Sequence, residues 1–275
     1  MDFIQDVMAG RVKLPMVPRV VERVLAVARE PDASFGDITE ELEQDPVLSS
    51  RVLRLANSSF FGGRRSLSSI EDAVSTVGIT SLQTLLIASG AMAAFVEVPA
   101  VNLRQFWMVS VICASSARQI ATRADVDGEK AYCAGLLQGV GHLILCQSHP
   151  EEARIALQGY PALWGQDMAL VEAAAFGVTH PMVSAIWADR LGLPREVVAA
   201  IRYSLEPVGA TAPDLGRVVQ LACNVASSVS AGVTVEEAIG RVDMALVERL
   251  DLESYVSSGR FDTDFDELKS LAMPL

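Results

Sequence analysis

The sequence predicts an all-α protein, because its apolar residues recur at helical spacing and no segment alternates with the period of two typical of strands. Val20, Val24 and Leu25 form one apolar stripe, and Val47 and Leu48 begin another. Helix-start patterns are also frequent. We therefore expect many short and medium helices packed into a bundle.

Helix-start signals recur along the N-terminal third of the chain. In chain order they are Ser34-x-x-Asp37, Asp45-Pro46, Ser68-x-x-Glu71 and Thr80-x-x-Gln83. A Ser or Thr hydroxyl can accept a hydrogen bond from the amide three residues on, and a carboxylate before a proline can do the same at a helix start. We expect a helix to begin directly after each of these caps.

Segments rich in proline, glycine or polar residues interrupt the helical pattern and divide the chain into parts. Residues 11–18 contain two prolines and predict an extended segment, and residues 57–67 form a polar loop with two glycines. Residues 97–103 follow the predicted Ser81–Val96 helix and mark the boundary between a smaller N-terminal and a larger C-terminal part. The chain is helical again from about residue 209, and its acidic terminal stretch predicts a short amphipathic helix.

Composition limits the function classes. The chain has 275 residues, of which 51% are hydrophobic, so it can fill a substantial core. Its 22 basic residues against 34 acidic ones give a formal charge of −12, which argues against direct binding of nucleic acid, because phosphates are contacted mainly by Lys and Arg.

The same composition predicts a cytoplasmic protein without a membrane span. The first ten residues lack the basic region of a secretory signal. The most apolar run, Leu85–Val96, contains no charged residue and is shorter than the roughly 20 residues that cross a bilayer. The four cysteines show no CxxC spacing, which favours reduced, buried thiols.

Common catalytic signatures are absent. The sequence has no GxxxxGK[ST], HExxH or GxSxG pattern, and Gly139-Val-Gly141 lacks the third glycine of a dinucleotide loop. Gly135, Gly139 and Gly141 nevertheless fall within one apolar helical stretch, where each glycine costs up to about 1 kcal/mol relative to alanine. We expect Gly135 and Gly141 to permit close helix packing.

One pattern with metal-ligand spacing is present. His142, Cys146 and His149 lie at i, i+4 and i+7, on one helical face, and could supply three zinc ligands. The favoured interpretation is that the first two pack in the core and His149 ends the helix before Pro150, because no further ligand stands out.

Two other features have a functional and a structural interpretation. His180 stands before Pro181 at a helix start, either as a ligand or acid–base group or, as we favour, bonded to neighbouring backbone. Arg64 and Arg65 follow an aromatic pair in the 57–67 loop, either as an anion or partner contact or as solvated side chains.

Several motifs, taken together, resemble the HDOD domain, a bacterial signalling module related to HD-type metal phosphohydrolases. The N-terminal motifs are Leu14-Pro-x-x-Pro18, Gln44-Asp-Pro-Val-Leu48, Arg51-Val-Leu-Arg-Leu-Ala-Asn-Ser58, Phe61-Gly62, Ser69-Ile70 and Val74 to Gly78. The C-terminal motifs are Phe106-Trp107, Ala134-Gly-Leu-Leu137, Phe176-Gly-Val-Thr-His180 and Leu191-Gly-Leu-Pro194. The resemblance covers residues 12–207, divided into an N-terminal subdomain of about 1–98 and an HD-like part of about 102–207. Residues 208–275 are then a helical extension packed on the HD-like part.

The resemblance also implies which positions would hold metal in an active relative. The early histidine falls at Val109, the His-Asp pair at Gln138-Gly139 and the late aspartate at Cys223. Later paired histidines fall at Ser204-Leu205, so that only His180 remains of the set. A single imidazole cannot hold a hydrolytic metal, so we expect no metal, no cofactor and no phosphohydrolase activity.

The leading functional hypothesis is therefore an inactive signalling module that binds another signalling protein or senses a small signal. The candidate contacts are Asn57, Phe60, Phe61, Arg64 and Arg65. One alternative is a divergent metal-dependent phosphohydrolase that uses His180. Another is a receptor that binds a nucleotide of the cyclic-di-GMP type without hydrolysing it.

Overall fold

The computed structural model describes residues 3–8, 12, 14–27, 34–57, 67–158, 164–205 and 212–258. Within these ranges every regular element is a helix, which confirms the all-α prediction. The helices are α1 (Phe3–Met8), α2 (Arg19–Val27), α3 (Phe35–Glu43), α4 (Pro46–Ala56), α5 (Ile70–Ala94), α6 (Leu103–Arg123), α7 (Gly128–Leu137), α8 (Val140–Ser148), α9 (Pro150–Ala156), α10 (Gln166–Phe176), α11 (His180–Arg190), α12 (Arg195–Arg202), α13 (Asp214–Ser230), α14 (Val235–Arg241), α15 (Met244–Arg249) and α16 (Glu253–Ser257).

The helices form two compact units. One contains residues 15–96, and the other contains residues 1–14 together with 97–275. The first helix, α1, groups with the larger unit. In that larger unit, the guanidinium of Arg190 donates a hydrogen bond to the Val7 carbonyl oxygen at 3.1 Å.

Caps set the helix starts in the smaller unit. Ser34 and Asp37 form the predicted capping box of α3. Asp45 Oδ1 accepts hydrogen bonds from the Val47 and Leu48 amides, 3.0 Å each, at the start of α4. The cap of α5 lies one residue later than the sequence pattern suggests, since Ser69 accepts from the Asp72 amide.

Helix α5 is interrupted at Gly78. This residue has φ 79° and ψ 166°, a conformation essentially restricted to glycine, and it separates two helical segments. The second segment contains the predicted Ser81–Val96 helix up to Ala94, where α5 ends.

The core of the larger unit is built around α6. This helix packs against α7 and α13, and α12 packs against both of these neighbours. Buried small residues on α6 and α13, such as Ala117 and Ala222, allow the helices to approach closely. Helix α13 lies beyond residue 207 but contributes Val218, Val219 and Ala226 to the same core.

A second layer of the larger unit holds α8, α9, α10 and α11. Helix α8 packs against α11 and α9, and α9 packs against α10. Helix α10 ends at Phe176, and the next residue, Gly177, has φ 71°. This left-handed residue turns the chain sharply into the start of α11.

In the part of the chain that is described, no single helix is both long and apolar enough to cross a membrane. The pair α10 and α11, bent by 87°, meets the length and composition criteria only when its two helices are counted together.

Candidate functional site

A buried carboxylate joins two histidines from different helices. Glu172 of α10 has no exposed surface. Its Oε1 lies 2.8 Å from Nδ1 of His142 in α8, and its Oε2 lies 2.7 Å from Nδ1 of His180 in α11. The backbone N–H of His180 donates to the same Oε2 at 2.6 Å. We call these three side chains the His–Glu–His triad.

Glu172 also caps the N-terminus of α11. The residue at the N-cap, Thr179, makes no side-chain capping bond, and Pro181 lies in the first turn. The carboxylate therefore accepts the free amide of His180, a role that N-cap side chains usually fill. The turn at Gly177 brings Glu172 back to this position, eight residues before His180.

Close packing of α8 on α11 brings His142 to the triad. The Gly141 amide donates to Ser184 Oγ at 2.7 Å, and this hydroxyl donates to the Gln138 carbonyl oxygen at 2.6 Å. A Cβ on Gly141 would overlap the His180 carbonyl oxygen and would lie 2.8 Å from the Ser184 backbone nitrogen. Position 141 therefore has no room for any side chain between α8 and α11.

Gly135 permits close packing at a second helix contact, that of α7 with α6. A Cβ on Gly135 would lie 3.0 Å from the Cα of Ala114 and 3.1 Å from the Cys113 carbonyl oxygen, both in α6. Such contacts are tighter than ordinary packing allows. The prediction that Gly135 and Gly141 permit close helix packing is confirmed.

Two members of the triad, Glu172 and His142, are charged near neutral pH. Burial alone raises the pKa of Glu172, but the electrostatic attraction of His180 and the hydrogen bonds from both histidines outweigh it and hold the pKa at about 2. Burial alone lowers the pKa of His142, but the hydrogen bonds to Cys146 and Glu172 outweigh it and raise the pKa to about 9. Glu172 is therefore a carboxylate and His142 an imidazolium around pH 7.

A small cavity lies beside the triad. Its lining consists of Gly139, His142, Trp164, Gly165, Met168 and His180. The cavity volume is about 10 Å³, close to what one water molecule requires. The Trp164 ring packs on Phe106 with centroids 5.4 Å apart, and a Cβ on Gly139 would lie 3.1 Å from the Trp164 ring. The absence of a side chain at Gly139 thus leaves room for the indole.

The positions where the family resemblance places metal ligands are buried. Val109 is 2% exposed and Cys223 is 1% exposed. The Cys223 sulfur lies 3.5 Å from the Cys113 sulfur, across the contact of α6 and α13. Gln138 has no exposed surface, and its two amide atoms have no partner among the described residues.

The zinc interpretation of the helical His-Cys-His pattern is not supported. Cys146 Sγ lies 3.6 Å from His142 Nε2. His149, however, follows the last residue of α8, and its ring packs against Phe3 and Phe176. No group of three His, Cys, Asp or Glu among the described residues could hold a metal ion.

The favoured interpretation of His180 is wrong for its side chain, which bonds the buried Glu172 carboxylate rather than neighbouring backbone. This arrangement does not fit a hydrolytic metal centre. Both oxygens of Glu172 already accept hydrogen bonds. The positions that the resemblance assigns to metal ligands carry Val109, Gln138, Gly139 and Cys223, of which only the Gln138 amide and the Cys223 thiol have a side-chain atom that could bind a metal.

The sequence did not reveal Glu172 as a functional candidate. A usable signal exists, since Glu172 is the one charged residue in the apolar stretch from Ala169 to Phe176. A lone acid on such a stretch is either exposed or paired, and only the three-dimensional structure shows that its partners are His142 and His180. Trp164 was missed because nothing local marks it as a neighbour of Gly139.

Of the predicted partner contacts, only Asn57 belongs to the described residues. Its Nδ2 donates to the Leu67 carbonyl oxygen at 2.8 Å, and its Oδ1 accepts from the Leu67 amide at 2.6 Å. Asn57 thus joins the two ends of the loop. Phe60, Phe61, Arg64 and Arg65 lie outside the described residues.

Comparisons with known proteins agree with this fold. The sequence profile of the HDOD domain matches residues 14–207. An uncharacterised protein of Treponema pallidum (strain Nichols) is 27% identical over 195 residues, which are 69% of this chain and 37% of that protein. The chain therefore spans little more than a third of the length of this curated relative.

Three solved structures share the fold. A protein of Shewanella amazonensis SB2B described as a candidate phosphohydrolase has 25% identity and a TM-score of 0.72, with 95% of this chain and 97% of that chain covered. A Marinobacter aquaeolei VT8 protein described as a candidate for signal transduction has 24% identity and a TM-score of 0.73, covering 96% and 60%. A Geobacter sulfurreducens protein of unknown function has 24% identity and a TM-score of 0.65, covering 96% of each chain.

Proposed function

Because this chain belongs to the HDOD domain family, we propose that it is a non-catalytic regulatory module of bacterial signal transduction. The observation that carries the proposal is the chemistry of the expected ligand positions. Val109 and Gly139 offer no donor atom, Gln138 offers a neutral amide, and Cys223 faces another thiol. This set replaces the histidines and carboxylates of an active relative.

The surviving imidazole does not compensate for these losses. A hydrolytic metal needs several ligands to lower the pKa of a bound water, and His180 directs Nδ1 at Glu172. The carboxylate that neighbours it is shared with His142 and with the α11 backbone. The triad therefore serves to join α8, α10 and α11, and we assign it a structural role within the regulatory module.

We infer that the module acts by binding another signalling protein. Support comes from the Marinobacter aquaeolei protein of the same fold, which is described as a candidate for signal transduction. The loop that Asn57 closes is the surface that we propose for this contact. The expected location of the module is the cytoplasm.

A turnover assay tests the absence of catalysis. We expect the purified chain, incubated with Mn²⁺ or Mg²⁺, to release no product from bis-p-nitrophenyl phosphate or cyclic-di-GMP above the metal-only blank. Cavity-lining His180 is the residue on which a divergent phosphohydrolase would depend. Turnover that His180→Gln abolishes and His149→Gln leaves unchanged would establish such an enzyme and defeat the proposal.

A capture experiment from the native organism tests the interaction. We expect the wild-type chain to retain a signalling protein and Asn57→Ala, which releases the loop ends, to retain less of it. Equal capture by both chains would show that the partner does not bind at this loop.

A further inference from the structure

Two cysteines from different helices meet in the core of the larger unit. Cys113 of α6 and Cys223 of α13 are free thiols, and both are buried. Their sulfur atoms lie 3.5 Å apart, although the two residues are 110 positions apart in the sequence. Cys223 also occupies the position at which the family resemblance places the late aspartate of a metal site. This position therefore carries a thiol that touches a second thiol.

The distance between the two sulfurs suits the formation of a covalent bond. A disulfide has an S–S length of about 2.05 Å, so the sulfurs need to approach each other by only about 1.5 Å. Helices α6 and α13 pack directly on each other, and the neighbouring Ala117 and Ala222 are small and have no exposed surface. Packing through such small residues favours the short separation of backbones that a disulfide requires.

The pair is protected under reducing conditions. The hydrogen bond with Cys223 and burial raise the pKa of the Cys113 thiol well above its usual range, so this thiol keeps its proton at neutral pH. Because the thiolate is the nucleophile, oxidation is slow while α13 stays packed on α6 and proceeds when this contact opens locally. The two residues therefore remain thiols until an oxidant is present in excess.

We propose that Cys113 and Cys223 form a modification site, at which hydrogen peroxide oxidises the two thiols to an intramolecular disulfide that joins α13 to α6. One thiol gives up its proton and attacks the O–O bond, which yields a sulfenic acid and one water molecule. The second thiol then attacks the sulfenic sulfur, the S–S bond forms, and the hydroxyl group leaves as a second water molecule. Each sulfur loses one electron, and one peroxide is reduced to two molecules of water.

The disulfide would fix the C-terminal helices to the rest of the larger unit. Helix α13 follows residue 207, where the matched family region ends, and packs on α6, α7 and α12. A bond that closes a loop of about 110 residues restricts the unfolded chain and so stabilises the folded one. Its role as a signal rests on the proposed regulatory function, whereas the formation of the bond does not.

Peptide mapping of the full chain tests the site. The folded protein is treated with hydrogen peroxide, the remaining thiols are alkylated, and the protein is digested without reductant for mass spectrometry. We expect a linked pair of peptides that contain Cys113 and Cys223, in monomeric protein, and we expect a reductant to separate them. Higher oxidation of either residue without linkage, or linkage only between two chains or only in urea, overturns the proposal.

Thermal unfolding shows whether the fold accommodates the bond. We expect the oxidised chain to melt roughly 5 °C or more above the reduced chain, because the closed loop is long. An unchanged or lower melting temperature of fully linked protein would show that the bond strains the contact of α6 and α13, against the proposal.

Single substitutions locate the bond. Cys113→Ala and Cys223→Ala each remove one sulfur, so peroxide should neither link peptides nor raise the melting temperature in either variant. Cys133→Ala, which changes a buried cysteine of α7, is the matched control and should respond like the wild type. A rise in melting temperature that persists in Cys223→Ala would assign the effect to another oxidation and overturn the proposal. The peptide map of the wild type decides the site even where a variant fails to fold.

The outcomes separate this site from the proposed function. Turnover of a phosphodiester would contradict the regulatory function, while the peptide map would still decide the disulfide by itself. Capture of a signalling protein that differs between the oxidised and the reduced wild type supports oxidation as an input to the module. Equal capture by the two forms overturns that input and leaves the bond established.

Discussion

Gly141 is the residue at which side-chain size matters most in the contact of α8 and α11. We expect Gly141→Ala to destabilise the protein by about 3 kcal/mol or more, because the methyl group would overlap the His180 carbonyl oxygen and the α11 backbone cannot move away alone. Urea unfolding checks the prediction. Gly240→Ala is the matched control, since nothing lies within 4 Å of a Cβ there, and it should change stability by less than about 1 kcal/mol.

The triad makes stability depend on pH. The pKa of His142 rises from 6.5 to about 9 on folding, so its contribution is fully present below about pH 6.5 and is lost as pH rises through 9. The pKa of Glu172 falls from 4.5 to about 2, so its contribution is present above about pH 4.5 and is lost as pH falls through 2. We expect maximal triad stabilisation between these limits, with a loss on the order of 3 kcal/mol on the alkaline side.

Urea midpoints measured from pH 5 to pH 9.5 test this dependence. His142→Gln removes the titrating imidazole, so its unfolding free energy should fall less steeply than that of the wild type between pH 6.5 and 9. Parallel curves for the two proteins would show that His142 does not carry the alkaline loss.

At the scale of single elements, the break in α5 depends on Gly78. We expect Gly78→Ala to destabilise the protein by about 1–3 kcal/mol, because φ 79° with ψ 166° is strained for any residue with a Cβ. Gly36→Ala serves as the control, since Gly36 lies in helical conformation in α3 and a Cβ there meets only Ser34 Oγ at 3.5 Å. Thermal unfolding of both variants provides the measurement, and equal melting temperatures would contradict the assignment.

The N-terminus of a helix could be predicted where its capping side chain comes from a residue next to the helix in the sequence. The Ser34-Asp37 box and the Asp45 cap depend on side chains within three residues of the amides that they bind, so short-range patterns identify them. The cap of α5 was displaced by one residue, from Ser68 to Ser69, because two adjacent serines offer the same chemistry. The start of α11 at His180 was predicted from Pro181, but its capping group could not be, since the carboxylate comes from Glu172 on another helix.

At the scale of the whole molecule, the larger unit extends beyond the matched domain. The profile ends at residue 207, yet α13 buries Val218, Val219 and Ala226 against the core. We expect a chain truncated after residue 207 to lose cooperative unfolding and to bind a hydrophobic dye, because the apolar face of α6 would be exposed.

A chain truncated after residue 258 is the control for this experiment, because it keeps α13 to α16. We expect it to unfold cooperatively, with the same melting temperature as the full chain. If the shorter chain ending at 207 showed the same melting temperature and the same cooperativity, α13 would not belong to the core.

The sequence by itself determined the helical class and the helix caps that use nearby side chains. Its family motifs also predicted the positions at which an active relative would carry metal ligands. These features rest on local periodicity and on residue identity, which the linear order contains. The sequence also indicated that Gly135 and Gly141 lie at close helix contacts, since an interior glycine destabilises a helix unless tighter packing offsets the cost.

Only the tertiary structure decided which residues meet. Glu172, His142 and His180 come from three helices, and their side chains pair because a buried carboxylate without hydrogen-bond partners would be costly. The contacts of Trp164 with Gly139 and with Phe106 of α6 likewise join segments far apart in the sequence, and no local pattern indicates them. Contacts between distant segments depend on how several helix faces pack together, so the cavity beside the triad became visible only in the folded molecule.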